Sequence, residues 1–166
     1  MQQFIRYPII VLILFCSCDQ KKETYKITSL HIAPFDLKAS IDSTVKCDST
    51  TCYNVTAALE NKTLRTLPYY SWTCSWTEDF FTDNKDFEVA QNICFSNWYF
   101  VDSIPPLGRK TFPLVIRKTG RQQHDFFKIG FAFIDPGLVP EEKLLQLTRS
   151  DRLKYVSWSY PISTLH

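Results

Sequence analysis

An all-β fold, an antiparallel sandwich of about seven to eight strands with one short helix, is the class this sequence predicts, on three observations. Apolar and polar residues alternate along 53–59, so that Tyr53, Val55, Ala57 and Leu59 share a face, and again after Pro68, where Tyr70, Trp72, Cys74 and Trp76 share one. Similar runs recur between turn signals, with no strand–helix–strand rhythm. The one helical signal, at 140–147, puts Pro140, Glu141 and Glu142 at the head of a short amphipathic segment.

Taken in order, the chain begins with a basic residue, Arg6, followed by the apolar run 7–15, the layout of a secretory signal. From Tyr7 to Cys18 a helix would reach only about 18 Å, against a hydrocarbon core of about 30 Å, so the run is too short to span a membrane. Its end, Phe15-Cys16-Ser17-Cys18, resembles the lipobox of bacterial lipoproteins, where a small residue precedes a cysteine that is diacylated and becomes the mature N-terminus. Phe15 departs from the usual leucine, and Cys16 is untypical. The resemblance implies a signal peptide over 1–17, lipid on Cys18 and a flexible polar tether over 18–26. Ordinary signal-peptidase cleavage at the same small residues is the alternative.

Residues 27–166 then form one domain. Its core is large enough for a chain of this length, and the charge balance of 19 basic against 17 acidic residues in the whole sequence gives no reason to expect a nucleic-acid partner. Export also sorts the cysteines. Cys16 leaves with the signal and Cys18 carries lipid, so Cys47, Cys52, Cys74 and Cys94 remain, an even number in an oxidising compartment. The bridge 47–52 is polar and short enough to join two antiparallel strands, which pairs Cys47 with Cys52 and leaves Cys74 with Cys94. No Cys-x-x-Cys pair or neighbouring histidine favours a metal instead.

Strands are expected over 27–33 and 35–46, then from Tyr53 and through the aromatic run to Trp76. Residues 77–86 read as a long loop or crossover, and 87–101 as a strand with Cys94, Ser96, Trp98 and Phe100 on one face. Beyond the 102–108 turn, Phe112, Leu114 and Ile116 point inward. A polar tip at 118–125 leads to Phe127, Ile129, Phe131 and Phe133 on a strand expected to pair with the previous one. Val156, Trp158 and Tyr160 make a last core face. The strand ending near 59–61, the aromatic strand after it and the Pro106-Leu107-Gly108 turn before Phe112 and Leu114 resemble bacterial immunoglobulin-like domains. That resemblance covers most of 27–162, implies fold alone, and lacks the Cys and Trp spacing of antibody domains. An open β-barrel or calyx is the competing architecture.

Chemistry is thinly signalled. The four glycines are not spaced for a phosphate or dinucleotide loop, so no cofactor is expected. His31, His124 and His166 are the histidines, and His124-Asp125 lacks a visible nucleophile; Glu141 and Glu142 are neighbours on a helix start and point apart. Aromatic residues are the one excess, at 15%. Most fall on inward faces, but Tyr69 and Tyr99 fall opposite their tryptophan neighbours, and with basic Arg117, Lys118, Arg121 and His124 they form the candidate binding patch. The expectation is a lipid-anchored, non-catalytic binding or assembly module of the bacterial cell envelope, held to the membrane by its lipid and engaging an envelope protein or glycan. The alternative is an exported inhibitor or ligand-binding β-protein engaging a protease, a glycan or a small apolar ligand.

The mature protein extracted in detergent is expected to show, by intact mass, a diacylglyceryl group on a chain beginning at Cys18, with four thiols becoming alkylatable only after reduction. A lipid-free chain or thiols open before reduction would overturn this.

Overall fold

The computed structural model describes residues 34–92, 94–120 and 124–165. The expected strand at 27–33, the signal, Cys18 and the tether lie outside them. In chain order the elements are β1 (Phe35–Cys47), β2 (Thr50–Asn61), β3 (Leu67–Trp72), a 3₁₀ turn (Trp76–Asp79), β4 (Phe80–Thr82), β5 (Phe87–Val89), β6 (Tyr99–Ile104) and β7 (Arg109–Lys118). There follow β8 (Phe126–Phe127), β9 (Ile129–Ala132), α1 (Glu141–Leu144), α2 (Arg149–Arg152), a second 3₁₀ turn (Leu153–Tyr155), β10 (Val156–Trp158) and β11 (Ile162–Ser163).

The protein is all-β and antiparallel. The long strands build one sheet in the order β1-β2-β7-β5, and the short ones build β10-β9-β4, β11-β8 and β3-β6. Within the long sheet the period of two holds: Tyr53, Val55, Ala57 and Leu59 on β2 and Phe112, Leu114 and Ile116 on β7 are buried. The opposite face is polar. There Glu60 accepts from Lys38 at 2.7 Å and Lys62 at 2.9 Å, and these two ammonium groups hold its carboxyl down at about 2.

Asp48, in the left-handed region with φ 50°, turns β1 into β2, so that Cys47 faces Thr50 and Val45 faces Cys52. Cys47 and Cys52 therefore bridge diagonally across the hairpin, with Cα atoms 5.8 Å apart. Further along, the register slips between Ile41 and Ser43, an irregularity at Asp42 that bends β1.

The short sheets cover the inner face of the long one through aromatic rings. Phe112 of β7 stacks on Phe131 of β9 at 6.0 Å and lies 5.1 Å from Phe80, which is itself 5.0 Å from Phe131. At the other end of β7, Phe127 packs on Phe87 at 4.7 Å and on Tyr53 at 6.2 Å. None of the four sheets closes on itself among the described residues.

Several expectations are corrected. The strand carrying Ile129 and Phe131 does not pair with β7; it lies opposite β7 across the core and pairs with β4 and β10, all four of its residues buried. Gly130 makes this possible, because a Cβ there would collide with Val156 Cγ1 and the Trp158 ring. Residues 77–86 are not a plain loop, since Phe80 and Phe81 enter the core as β4. The strand expected over 87–101 is two, in different sheets, and the aromatic strand ends at Trp72, with Trp76 opening a 3₁₀ turn. Near the C-terminus Ser159 and Ile162 are buried instead of Trp158 and Tyr160, the latter 87% exposed. The helical stretch is two single turns, the second capped reciprocally by Thr148 and Asp151.

Phe131→Ala is expected to cost about 3–5 kcal/mol in urea unfolding, because it empties the point where Phe35, Tyr69, Phe80 and Phe112 meet.

Candidate functional site

The residues expected to form one patch fall in separate places. Tyr69 is 0% exposed: it meets Phe131 edge-on at 5.5 Å, and its hydroxyl donates to Asp102 Oδ2 at 3.0 Å. The expectation of an exposed Tyr69 fails because both faces of β3 are covered, Tyr69 by the main core and Tyr70 by a smaller cluster with Ile134, Val139 and Leu144. Burial, reinforced by the Asp102 charge, pushes the Tyr69 hydroxyl well above its ordinary value. Burial also pushes Asp102 upward, but hydrogen bonds from Lys110, the Ser103 amide and Tyr69 outweigh it and leave that carboxyl low.

Tyr99 is half-buried and lies against Trp72, ring centroids 3.6 Å apart. Arg117 pairs with Glu88 at 3.3 Å, and the Lys118 ammonium lies 5.9 Å from the Phe87 ring centre. Arg121 is outside the described residues. His124 reaches not Asp125 but Asp86, Nε2 to Oδ2 3.4 Å. Lys110 sits over Tyr69 at one end of β7 and Lys118 ends it at the other, about 27 Å away at roughly 3.4 Å per residue, so the tyrosines and the basic residues do not share a surface.

What the fold does assemble is a strip along β6. Phe95 is fully exposed, Trp98 is 70% and Val101 54% exposed, and Phe100 lies between them, open as well. The segment that carries the first two is built into the body of the domain. Cys74 and Cys94 are bridged, their Cα atoms 6.0 Å apart. Asn97 Oδ1 accepts from the Cys74 and Ser75 amides at 3.4 and 3.3 Å while its Nδ2 donates to Ser75 Oγ, and the Thr73 amide donates to the Trp98 carbonyl at 2.9 Å.

The backbone of β6 is open on one side. Tyr70 N–H donates to the Ile134 carbonyl at 2.9 Å, away from β6, so the Tyr70–Val101 pair is a non-hydrogen-bonded pair of the ladder. By alternation Tyr99, Val101 and Ser103 turn their N–H and C=O groups away from β3, the facing position of Ser103 being Pro68, which has no N–H to offer, and the Ser103 amide is taken by Asp102 Oδ1 at 2.7 Å. Among the described residues no strand pairs with that outer edge.

A buried ion pair backs the strip. Arg152 of α2, nearly enclosed, donates from Nη2 to Asp79 Oδ1, and Ser71 Oγ of β3 donates to Oδ2 at 2.9 Å. Burial pushes the Asp79 carboxyl up to about 7 against the opposing pull of Arg152 and Ser71. Sequence reasoning missed this pair, since the two residues stand 73 positions apart with nothing to mark them.

A concavity of about 430 Å³ is lined by Asp83, Asn84, Lys85, His124 and Phe126. Among the described residues no cluster of three or more metal-ligating side chains occurs. No family model, no curated protein and no solved structure matches this chain.

Arg152→Met is expected to destabilise the protein by about 3–5 kcal/mol at pH 8, where Asp79 is ionised and would be left buried with only the Ser71 hydroxyl and no counter-charge. At pH 5, below its folded pKa of about 7, Asp79 already holds a proton, so the loss should be smaller. Urea unfolding at the two pH values checks this; equal losses would assign the cost to packing alone.

Proposed function

We propose that the protein is a non-catalytic binding or assembly module of the bacterial cell envelope, exported and tethered through lipid on Cys18, with its strands arranged as an immunoglobulin-like sandwich. Its working surface is the β6 strip, and its partner is an extended segment of another envelope protein. The observation that carries this reading is the open backbone edge at Tyr99 and Val101 flanked by Trp98, Phe100 and Val101. Main-chain groups on such an edge supply affinity to an added strand, and neighbouring aromatic side chains supply selectivity. Natural proteins guard exposed edges with charge, proline or a bulge, and β6 has none of these between Tyr99 and Val101. The segment's fastening by the Cys74–Cys94 bridge and Asn97 favours binding because little chain has to be ordered when a partner docks.

Val101→Pro removes one outward N–H at a position where an edge strand tolerates proline. With a photo-crosslinking residue at position 98 in cells, the native edge is expected to yield a discrete envelope-protein adduct. Val101→Pro should reduce it at least tenfold while unfolding in urea as the parent does. An adduct of undiminished yield would count against strand addition.

A further inference from the structure

The concavity lined by Asp83, Asn84, Lys85, His124 and Phe126 lies near the Lys118 end of β7, where Asp86 bonds the Thr119 and Gly120 amides. Its residues come from the turn between β4 and β5 and from the segment entering β8. Asp83 Oδ1 accepts from the Lys128 amide at 2.7 Å, Asn84 Oδ1 accepts from the Asp86 amide at 3.0 Å, and Asn84 Nδ2 donates to the Phe126 carbonyl at 3.3 Å. These bonds tie the two walls together, so the cleft needs little ordering to receive a ligand.

Behind it Asp86 is held still. Its carbonyl accepts from the Thr119 and Gly120 amides at 2.8 and 3.3 Å, and its carboxylate packs so closely on Gly120 that a Cβ there would collide with it. The side chain of Asp86 is 7% exposed, and its Oδ2, with no hydrogen-bond donor among the described residues, faces His124 Nε2 at 3.4 Å. Phe126 forms an apolar wall, 58% exposed although its neighbour Phe127 is fully buried.

We propose that this cleft binds a neutral carbohydrate, with Phe126 stacking on a sugar ring and Asp83, Lys85 and His124 meeting its hydroxyls. Charge selects this class. In the lining the Asp83 carboxylate stands against the Lys85 ammonium, with the buried Asp86 carboxylate behind the His124 ring, so neither an anion nor a cation meets a one-signed lining. Hydroxyl groups both donate and accept, and so satisfy such a mixed set. The volume of about 430 Å³ lies toward the lower end of the roughly 300–1,000 Å³ usual for ligand clefts, which suits a short glycan segment. The site shares no residue with the β6 strip, and its failure would leave the strand-addition reading untouched.

Amide NMR spectra of the folded protein, titrated to saturation with methyl glycosides of glucose, galactose, mannose and N-acetylglucosamine, test it directly. Methyl glucuronide and inorganic phosphate serve as charged competitors. At least one neutral glycoside is expected to shift the signals of 83–86 and 124–126. Phe126→Ala should weaken that binding about tenfold and Phe126→Trp should retain it, each with the spectrum of the long sheet unchanged. The proposal is overturned if no neutral glycoside moves those signals, if glucuronide or phosphate binds more tightly than every neutral sugar, or if a folded Phe126→Ala binds as the parent does.

Discussion

The contact between Phe112 and Phe131 is the constraint on which the rest of the domain rests. One sheet of long, regular strands has an apolar face that must be covered, and no second sheet of equal length exists among the described residues to cover it. Three small sheets do so in pieces, and rings do the joining, since a phenylalanine spans the gap between layers and meets its neighbours in tilted or edge-on geometry. Sheets of two or three short strands are marginal alone. Here each borrows stability from the face it covers, so the small sheets hold their shape only while the aromatic seam is intact.

The two surfaces proposed to bind partners inherit this arrangement. The β3-β6 pair can keep an open edge because its other faces are occupied, Tyr69 by the core and Tyr70 by Ile134, Val139 and Leu144. Asp79 and Arg152 then tie the turn after β3 to α2 through one enclosed contact. An ion pair in such a place contributes little net stability compared with apolar residues of the same shape, but breaking it is costly, and it admits one geometry where an apolar contact would admit several. The cleft at the Lys118 end of β7 adds side-chain bonds at Asp83 and Asn84 and backbone bonds at Asp86 to the packing of Phe127 on Phe87 and Tyr53.

Much of the long sheet was legible in the sequence. A strand with one face in water writes its fold as alternation, which is why the inward residues of β2 and β7 and the fastening of Cys47 to Cys52 and Cys74 to Cys94 could be read directly. The second layer was not. Where a short strand is covered on both sides, as β3 and β9 are, alternation no longer distinguishes inside from outside, and Tyr69 was placed on the wrong one. The partner of β9 was misjudged for a related reason: two apolar strands adjacent in sequence can pair side by side or face each other across a core, and periodicity is the same in both cases. The functional surfaces were less legible still. His124 was visible, but its carboxylate, Asp86, is brought to it by the return of β7 and not by its own neighbours.

The irregularity at Asp42 in β1 bears on how many molecules such a protein can join. β1 is the longest outer strand, and it carries the bulge together with Lys38 and Lys46 along its length; β3 is engaged on its outer side where the Tyr70 amide donates to the Ile134 carbonyl, and the remaining outer strands among the described residues run to two or three residues. A subunit with a single usable edge is monovalent. If β6 is the edge that binds, such a subunit can terminate a row of strands or close face to face on a copy of itself, and among the described residues it offers no second long, unguarded edge from which a fibre could grow.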